Sequence, residues 1–315
     1  FSQPCKELIA YYPNWQWYDR GNLVGPLEID YSNYSIINYS FFNPQPDGSI
    51  IQTDSWADEN LLFGQHDWAN GGYLPNTSLI DLAHNNGVDV LVSIGGWTLS
   101  NNFPGIASDS IKRTYFASEC VRLISEFGFD GIDIDWEYPG YAPHNGTIYD
   151  GGNFTLLMQT IRDSIDAFGL VTGEDYLLSS CFSADPVKMA SIEWTNALGI
   201  IDMFNLMSYD FFGAFSTLSN HNSPLYAPMA GDPQFNIHSA FTNLTQVYCV
   251  PASRINIGIP FYGRSVTGCA GLHQTNSGYA DASTFWEDDG SPTYYNVLKN
   301  MNQFKYNKKW TIWVI

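Results

Sequence analysis

Three carboxylates alternate with large apolar residues in the stretch FDGIDIDWEYPG, residues 129–140. Asp133, Asp135 and Glu137 take every second position, so a β-strand would carry all three on one face, ~6.6 Å apart along the row. Like charges at this range oppose one another's ionisation, which raises a pKa within the row and keeps a proton available near neutral pH. The pattern therefore indicates general acid catalysis, with Glu137 at the end of the row as the proton donor.

Two other interpretations of the row stay open at this point. A solvated edge strand could carry a polar face, and a calcium site could use the carboxylates. Calcium loops, however, place Asp, Asn and Gly at close spacing and lack the flanking Ile and Trp. The 6 histidines and 5 cysteines show no HxH, HExxH or CxxC spacing. We therefore expect neither a metal site nor a cofactor.

The segment DGIDIDWEYP resembles the DGxDxDWE signature of family 18 glycoside hydrolases, the chitinases and their relatives. Three further segments agree with that family in the same order: SIGGW at 93–97, NLMSYD at 205–210 and IPFYGR at 259–264. The resemblance covers roughly residues 5–300. It implies hydrolysis of β-1,4-linked N-acetylglucosamine polymers by a retaining, substrate-assisted mechanism, in which the substrate's N-acetyl oxygen attacks C1. An endo-β-N-acetylglucosaminidase acting on N-glycans and a chitinase-like lectin are the alternatives.

The same resemblance implies a role for each matching residue. Asp135 would orient the acetamido N–H, and Asp133 would share a proton with Asp135. Tyr209 would donate a hydrogen bond to the acetamido carbonyl oxygen, and Asp210 would contact sugar hydroxyls near Glu137. The substrate-binding residues implied are Tyr11, Phe41, Ser93, Trp97, Met207, Tyr262 and Arg264. Of these, Tyr11 and Ser93 would also hydrogen-bond Asp133, and Phe41 and Met207 would line the pocket beneath the sugar.

Apolar strands alternate with helices along the chain, which predicts βα units and a parallel sheet. Besides the acidic strand, we expect strands at residues 8–12, 35–42, 88–94, 176–183, 201–207 and 255–261. We expect helices at 77–86, 108–127, 154–168, 189–198 and 237–247, and a long aromatic loop before residue 76. Seven such units predict an α/β fold of the TIM (β/α)8 type, with the active site at the C-terminal ends of the strands. Trp97, Glu137, Tyr209, Tyr262 and Arg264 all follow a predicted strand.

The eighth strand of the barrel is the doubtful element. Residues 265–308 resemble the first part of a small α+β domain that many family members insert after strand seven. We therefore expect a catalytic barrel over residues 1–264, incomplete at its C-terminus, and a partial insertion domain over 265–315. Cys269 would then carry a free thiol. The alternative is that residues 310–314 form the eighth strand themselves.

The composition excludes some classes of partner. With 32 acidic and 13 basic residues, the net charge of −19 argues against binding nucleic acid or an anionic membrane surface. No run of 18 apolar residues occurs, so no membrane span is expected. The first residues, FSQPCKELIAYY, lack the basic-then-apolar pattern of a signal peptide, as a mature secreted chain would. We expect a secreted monomer that binds chitin or an N-acetylglucosamine oligosaccharide.

Overall fold

A computed structural model describes residues 7–21, 24–285 and 289–299 of the 315-residue chain. The strands are β1 (Ile9–Pro13), β2 (Ile36–Pro44), β3 (Ile50–Gln52), β4 (Asp89–Gly95), β5 (Gly131–Asp135), β6 (Leu177–Ser183), β7 (Met203–Met207) and β8 (Ile255–Ile257). The α-helices are α1 (Ser55–Leu62), α2 (Leu79–Asn85), α3 (Phe103–Ser108), α4 (Ser110–Phe127), α5 (Asp150–Thr172), α6 (Pro186–Met189), α7 (Trp194–Ala197) and α8 (Ile237–Thr242). Short 3-10 helices include Asn14–Gly21, Trp97–Asn102 and Ala142–His144.

The strands form one sheet in the order β1-β2-β4-β5-β6-β7-β8, and β3 pairs with β2 outside that path. The pairs β1–β2, β2–β4, β4–β5 and β5–β6 are parallel, whereas β3 runs antiparallel to β2. Neighbouring strands follow one another along the chain, as in a barrel built from βα units. The candidate eighth strand, residues 310–314, lies outside the described residues.

The chain divides into two compact units. The first unit comprises the described residues up to Phe182 together with Ala190–Asn205 and Ala252–Asn256. The second comprises Ser183–Met189, Leu206–Pro251 and the described residues from Ile257 onward. Within the first unit, Ile36, Leu91 and Met203 form an apolar cluster against which Ile9 and Leu177 pack. These five side chains come from five strands of the sheet, so they fill one layer of its interior.

Two polar side chains show that the sheet curls. The hydroxyl of Tyr11 on β1 lies 2.9 Å from a carboxylate oxygen of Asp133 on β5. Three strand spacings would separate β1 from β5 by about 14 Å in a flat sheet. The two side chains meet because they project into the inside of the curve, as in an incomplete (β/α)8 barrel.

One helix prediction was wrong, and another began two residues too early. The helix expected at 108–127 is observed as α4, Ser110–Phe127, because the carboxylate of Asp109 accepts hydrogen bonds from the backbone N–H groups of Ile111 and Lys112. That contact makes Asp109 the N-cap of α4 and ends α3 at the preceding residue. The continuous helix expected at 189–198 is replaced by two four-residue helices, α6, which ends at Met189, and α7. Between them the carbonyl of Ser191 lies so close to Gly151 that a Cβ there would meet it at 2.1 Å.

The segment before residue 76 also departs from expectation, because it contains β3 and α1 instead of a loop. Asp54 accepts a hydrogen bond from Ala57 N and so begins α1. Cys120, Cys181, Cys249 and Cys269 form no disulfide, so Cys269 carries a free thiol as expected. Across the described residues, no helix is both long and apolar enough to cross a membrane.

Candidate active site

The acidic row lies at the C-terminal end of β5. Asp133 and Asp135 are buried in the strand, and Glu137 follows two residues beyond it. The strand begins at Gly131, where a Cβ would meet the carbonyl of Leu177 at 2.2 Å, so only glycine allows this approach to β6. On the opposite face, the ring of Trp136 is buried and stacks on a helical phenylalanine, Phe103. The apolar face of β5 therefore fixes the direction in which the acids point.

Asp133 is the most completely hydrogen-bonded member of the row. Its Oδ2 accepts from the hydroxyls of Tyr11 (2.9 Å) and Ser93 (2.7 Å), which are the two contacts expected from the sequence. Its Oδ1 accepts from Ser179 Oγ (2.5 Å) and from the amide of Asn205 (3.1 Å). Both serines reach Asp133 because the strand register pairs Ser93 on β4 and Ser179 on β6 directly with it. Burial raises the pKa of Asp133, although these donors oppose that effect.

Asp135 is held differently. Its side chain is 4% exposed, and its Oδ1 has no hydrogen-bond partner among the residues that the structure describes. Burial raises the pKa of Asp135 well above its usual value, and the charges of Glu137 and Asp133 raise it further. A buried carboxyl oxygen without a donor is costly to maintain, which marks it as a position that a ligand donor can satisfy.

The backbone of Glu137 is fixed from two loops. Its N–H donates to Ser100 Oγ at 2.9 Å, and its carbonyl oxygen lies 2.6 Å from Nδ1 of His144. Ser100 also donates to the carbonyl oxygen of Gly96, which ties Glu137 to the loop after β4. Trp97, in the same loop, is 49% exposed and packs edge-on against His144, with 4.5 Å between ring centroids.

Phe41 and the loop after β1 form the aromatic part of this unit. The ring of Phe41 stacks on Trp15, with 5.9 Å between centroids. Gly96 permits the approach of Phe41 from the other side, because a Cβ at that residue would lie 2.9 Å from the ring. Gly96 also has φ near +93°, a conformation that residues with a side chain rarely adopt. A larger residue there would therefore both clash with Phe41 and strain the backbone.

A second buried carboxyl, Asp58 on α1, anchors the Trp15 loop. Asp58 accepts hydrogen bonds from the hydroxyl of Tyr39 (2.5 Å) and from the side-chain amide of Asn14 (2.8 Å), the residue before Trp15. The same amide donates to Thr53 Oγ1, which in turn donates to the carbonyl oxygen of Phe41. Burial raises the pKa of Asp58 to about 6 despite these donors.

This shift predicts a pH-dependent stability for Asp58→Asn. Because the native pKa lies above the unfolded one, ionisation of Asp58 destabilises the fold as the pH rises from about 4 to about 6. Two pKa units correspond to about 3 kcal/mol at most. We therefore expect the free energy of unfolding of Asp58→Asn to increase relative to that of the wild type as the pH rises. Urea unfolding of both proteins between pH 4 and 7 measures this difference.

Asp47→Asn serves as a control of opposite sign. The exposed carboxylate of Asp47 accepts hydrogen bonds from the N–H and hydroxyl of Ser49, which lower its pKa. Its replacement should therefore lose stability relative to the wild type as the pH rises through the range below about 4, so between pH 4 and 7 its difference from the wild type should stay nearly constant. If the difference between wild type and Asp58→Asn stays constant with pH, the inferred titration of Asp58 is wrong.

The other predicted residues lie in the second unit. Met207 is buried at the end of β7. Asp210 has φ near +57°, and its N–H donates to Asn222 Oδ1 at 3.0 Å. Arg264 donates two hydrogen bonds to the carboxylate of Asp210, from Nε at 2.8 Å and from Nη2 at 2.5 Å. This fork geometry fixes the orientation of the Asp210 carboxylate.

The two tyrosines of the second unit lie beside this ion pair. The rings of Tyr209 and Tyr262 meet edge-on at 6.1 Å, and the Arg264 guanidinium lies 5.4 Å from the centre of the Tyr262 ring. Burial and the charge of Asp210 raise the pKa of Tyr262, so its hydroxyl stays a donor at neutral pH. The structure thus brings together Tyr209, Asp210, Tyr262 and Arg264 in one unit, and Tyr11, Ser93 and the acidic row in the other.

Sequence reasoning missed several residues that hold the acids. Ser179 and Asn205 hydrogen-bond Asp133, while Ser100 and His144 hold the Glu137 backbone. Asn256 donates to Oδ1 of Asn205, which turns the Asn205 amide nitrogen toward Asp133. The sequence pattern that could have indicated such partners is a small polar residue within an otherwise apolar strand, as in YLLSSCFS. Within the described part of the chain, no group of three or more His, Cys, Asp or Glu is arranged to hold a metal ion.

Comparison with known proteins places the chain in a family. The family model described as "Glycosyl hydrolases family 18" matches residues 7–313. Chitinase A1 of Niallia circulans is 32% identical over 96% of this chain and 49% of its own length. Endochitinase 1 of Metarhizium robertsii is 34% identical over 89% of this chain and 65% of its own length. The chain thus spans about half to two-thirds of these relatives.

A solved structure shows the same fold. The immunomodulatory active chitinase TsES1 of Trichuris suis aligns with a TM-score of 0.83 at 25% identity, over 95% of this chain and 78% of that one. Because the alignment covers 95% of this chain, the likeness is not confined to the DGIDIDWEYP segment. The chain therefore belongs to family 18 of the glycosyl hydrolases.

Proposed function

We propose that this chain is a chitinase that hydrolyses β-1,4-linked N-acetylglucosamine polymers with retention of configuration. Family membership and relatives named chitinase and endochitinase support the substrate class. The observation that carries the mechanism is the buried Oδ1 of Asp135, which lacks a donor among the described residues. An N-acetyl group offers an amide N–H to this oxygen, and accepting it would turn the acetamido carbonyl oxygen toward C1.

The reaction then takes two displacements at C1. In the first, the proton of Glu137 passes to the glycosidic oxygen as the C1–O bond breaks, and its electron pair leaves with the alcohol. A lone pair of the acetamido oxygen forms the new C1–O bond and gives a positively charged oxazolinium intermediate that keeps its N–H. In the second, Glu137 takes a proton from water, and the water oxygen attacks C1 and opens the ring. Two inversions give net retention.

The remaining acids supply a proton reservoir and charge. Burial and the charge of Glu137 raise the pKa of Asp135 well above its usual value, which favours a proton that Asp135 and Asp133 would share. When positive charge develops on the oxazoline, a proton that moves toward Asp133 leaves Asp135 as the anion beside the N–H. The side chains that donate to Asp133 would hold that carboxyl in place while the proton moves.

Further residues are proposed to bind the sugar. Tyr209 would donate to the acetamido oxygen, and Asp210, held by Arg264, would accept from sugar hydroxyls. Met207 and Tyr262 would also contact the sugar. Phe41 and Trp97 would present aromatic rings to sugar faces, since flat apolar rings pack well there.

The wider assignments follow from this function and are proposals too. We propose that residues 1–264 form the catalytic barrel and 265–315 part of an α+β insertion. Chitin is a polymer that an enzyme meets outside the cell, so we propose a secreted, chitin-binding monomer.

The function is tested by incubating the protein with chitohexaose and separating the products. We expect shorter N-acetylglucosamine oligomers whose reducing ends are initially β, as retention requires. Release of intact N-glycans from a glycoprotein without chitohexaose cleavage would show an endo-β-N-acetylglucosaminidase instead. Binding of chitohexaose without turnover would show a lectin.

A further inference from the structure

The loop between β5 and α5, residues 138–147, is closed by one buried carboxylate. Asp150, the first residue of α5, is fully buried. One of its oxygens accepts from the backbone N–H groups of Gly140 (3.0 Å) and Thr147 (2.9 Å). The other accepts from the Thr147 hydroxyl at 2.8 Å. Both ends of the loop are therefore fixed by a residue outside it.

Within this loop, His144 contacts the backbone of the proposed general acid. Nδ1 of His144 lies 2.6 Å from the carbonyl oxygen of Glu137. A carbonyl oxygen only accepts, so Nδ1 carries the hydrogen in this contact. Because Ser100 accepts from the N–H of Glu137, both backbone polar groups of Glu137 are held by side chains from different loops.

The same histidine contacts Trp97. The two rings meet edge-on at 4.5 Å, and Tyr141 packs on Trp97 at 5.8 Å. Asn145, the next residue, donates from its side chain to the carbonyl oxygen of Asn101, in the 3-10 helix that begins at Trp97. One short loop thus joins the backbone of Glu137 to a half-exposed indole.

We propose that His144 is a positioning residue that sets the placement of Glu137 and couples it to Trp97. This inference rests on the proposed function, because it assumes that Glu137 is the acid. His144 acts through the Glu137 carbonyl and does not touch reacting atoms. Proton transfer depends on geometry at the ångström level, and a displacement of 1 Å can cost on the order of 10²-fold in rate. Asp150 closes the loop independently, so removal of His144 leaves that closure intact.

The test compares three substitutions by steady-state kinetics on chitohexaose. His144→Ala should lower kcat by roughly 10- to 100-fold with little change in KM, as expected for loss of positioning. His144→Asn keeps an amide donor in place of Nδ1 and should restore most of the loss. His144→Phe keeps a ring against Trp97 without a donor and should behave like the alanine variant. His238→Ala, at an exposed histidine of α8, should retain wild-type kinetics.

A backbone amide NMR spectrum gives a readout that does not depend on activity. The Glu137 amide resonance should move in the alanine and phenylalanine variants and return in the asparagine variant. Wild-type kcat in His144→Ala, or full recovery by His144→Phe, would overturn the inference. Absence of turnover in the wild type would instead refute the proposed function, and the Glu137 resonance would still decide whether His144 holds that residue.

Discussion

Glu137→Gln should lower the turnover of chitooligosaccharides by about 10²- to 10⁴-fold, the usual contribution of a positioned general acid. The amide has the size of the acid but cannot supply a proton to the glycosidic oxygen. The hydrogen bonds from Ser100 and His144 involve the Glu137 backbone, so they survive the substitution. Binding of chitohexaose, measured by calorimetry, should therefore remain close to wild type while kcat falls.

The matched control for this result is Glu174→Gln. Glu174 is an exposed acid in the turn between α5 and β6, so the same chemical change there should leave kcat unaltered.

A second consequence of Glu137→Gln concerns Asp135, whose pKa is raised in part by the charge of Glu137. Removing that charge should lower the pKa of Asp135, which pH titration of its carboxyl carbon by NMR can follow. If Glu137→Gln turns over chitohexaose at the wild-type rate, Glu137 is not the acid.

Substrate assistance makes a second strong prediction: chitotetraose should be cut and cellotetraose should not. The two oligomers differ at C2, where cellotetraose has a hydroxyl and therefore no internal nucleophile. We do not expect Asp135 to replace it, because Asp135 ends the strand that leads directly to Glu137 and so would approach the sugar from the same side as the acid, not from across it. Product analysis by chromatography under identical conditions measures the difference.

A thiazoline analogue of N-acetylglucosamine completes this experiment, because it mimics the cyclic intermediate. It should inhibit chitotetraose cleavage competitively, whereas the corresponding glucose derivative without the ring should not. Cleavage of cellotetraose would refute the mechanism. Chitotetraose cleavage that the thiazoline does not inhibit would point to direct displacement by water.

Local pattern was sufficient to predict most of the strands. Strands expected at 8–12, 35–42 and 88–94 are observed at Ile9–Pro13, Ile36–Pro44 and Asp89–Gly95. Each is a short apolar run that is followed by Pro or Gly. The residues of the run predict a strand, and the Pro or Gly predicts where the strand ends. The helix expected at 108–127 is likewise observed at Ser110–Phe127, and its start is fixed by the capping contacts of Asp109.

The partners of the acids were harder to predict because they depend on register. The sequence indicates that Asp133 faces the interior, but not that Ser179 lies opposite it on β6. Asn205 is further away still, on β7, and reaches Asp133 only because the sheet curls. The resemblance to a known family supplied Tyr11 and Ser93, whereas Ser179, Asn205 and His144 required coordinates. The roles proposed for the sugar-binding residues, and the domain boundary at 264, stay predictions.

The hydrogen bonds to Asp133 have a consequence for how this site responds to dissolved salt. All five described donors are neutral side chains: three hydroxyls, one amide and, at 3.8 Å, the thiol of Cys181. Dissolved salt weakens attraction between separated charges, and none of these contacts pairs Asp133 with a cation. Salt also relaxes the mutual repulsion that a net charge of −19 creates across the chain. We therefore expect high salt concentrations to leave the hydrogen bonds to Asp133 largely unchanged. The same salt should weaken the repulsion among the acidic side chains elsewhere on the chain.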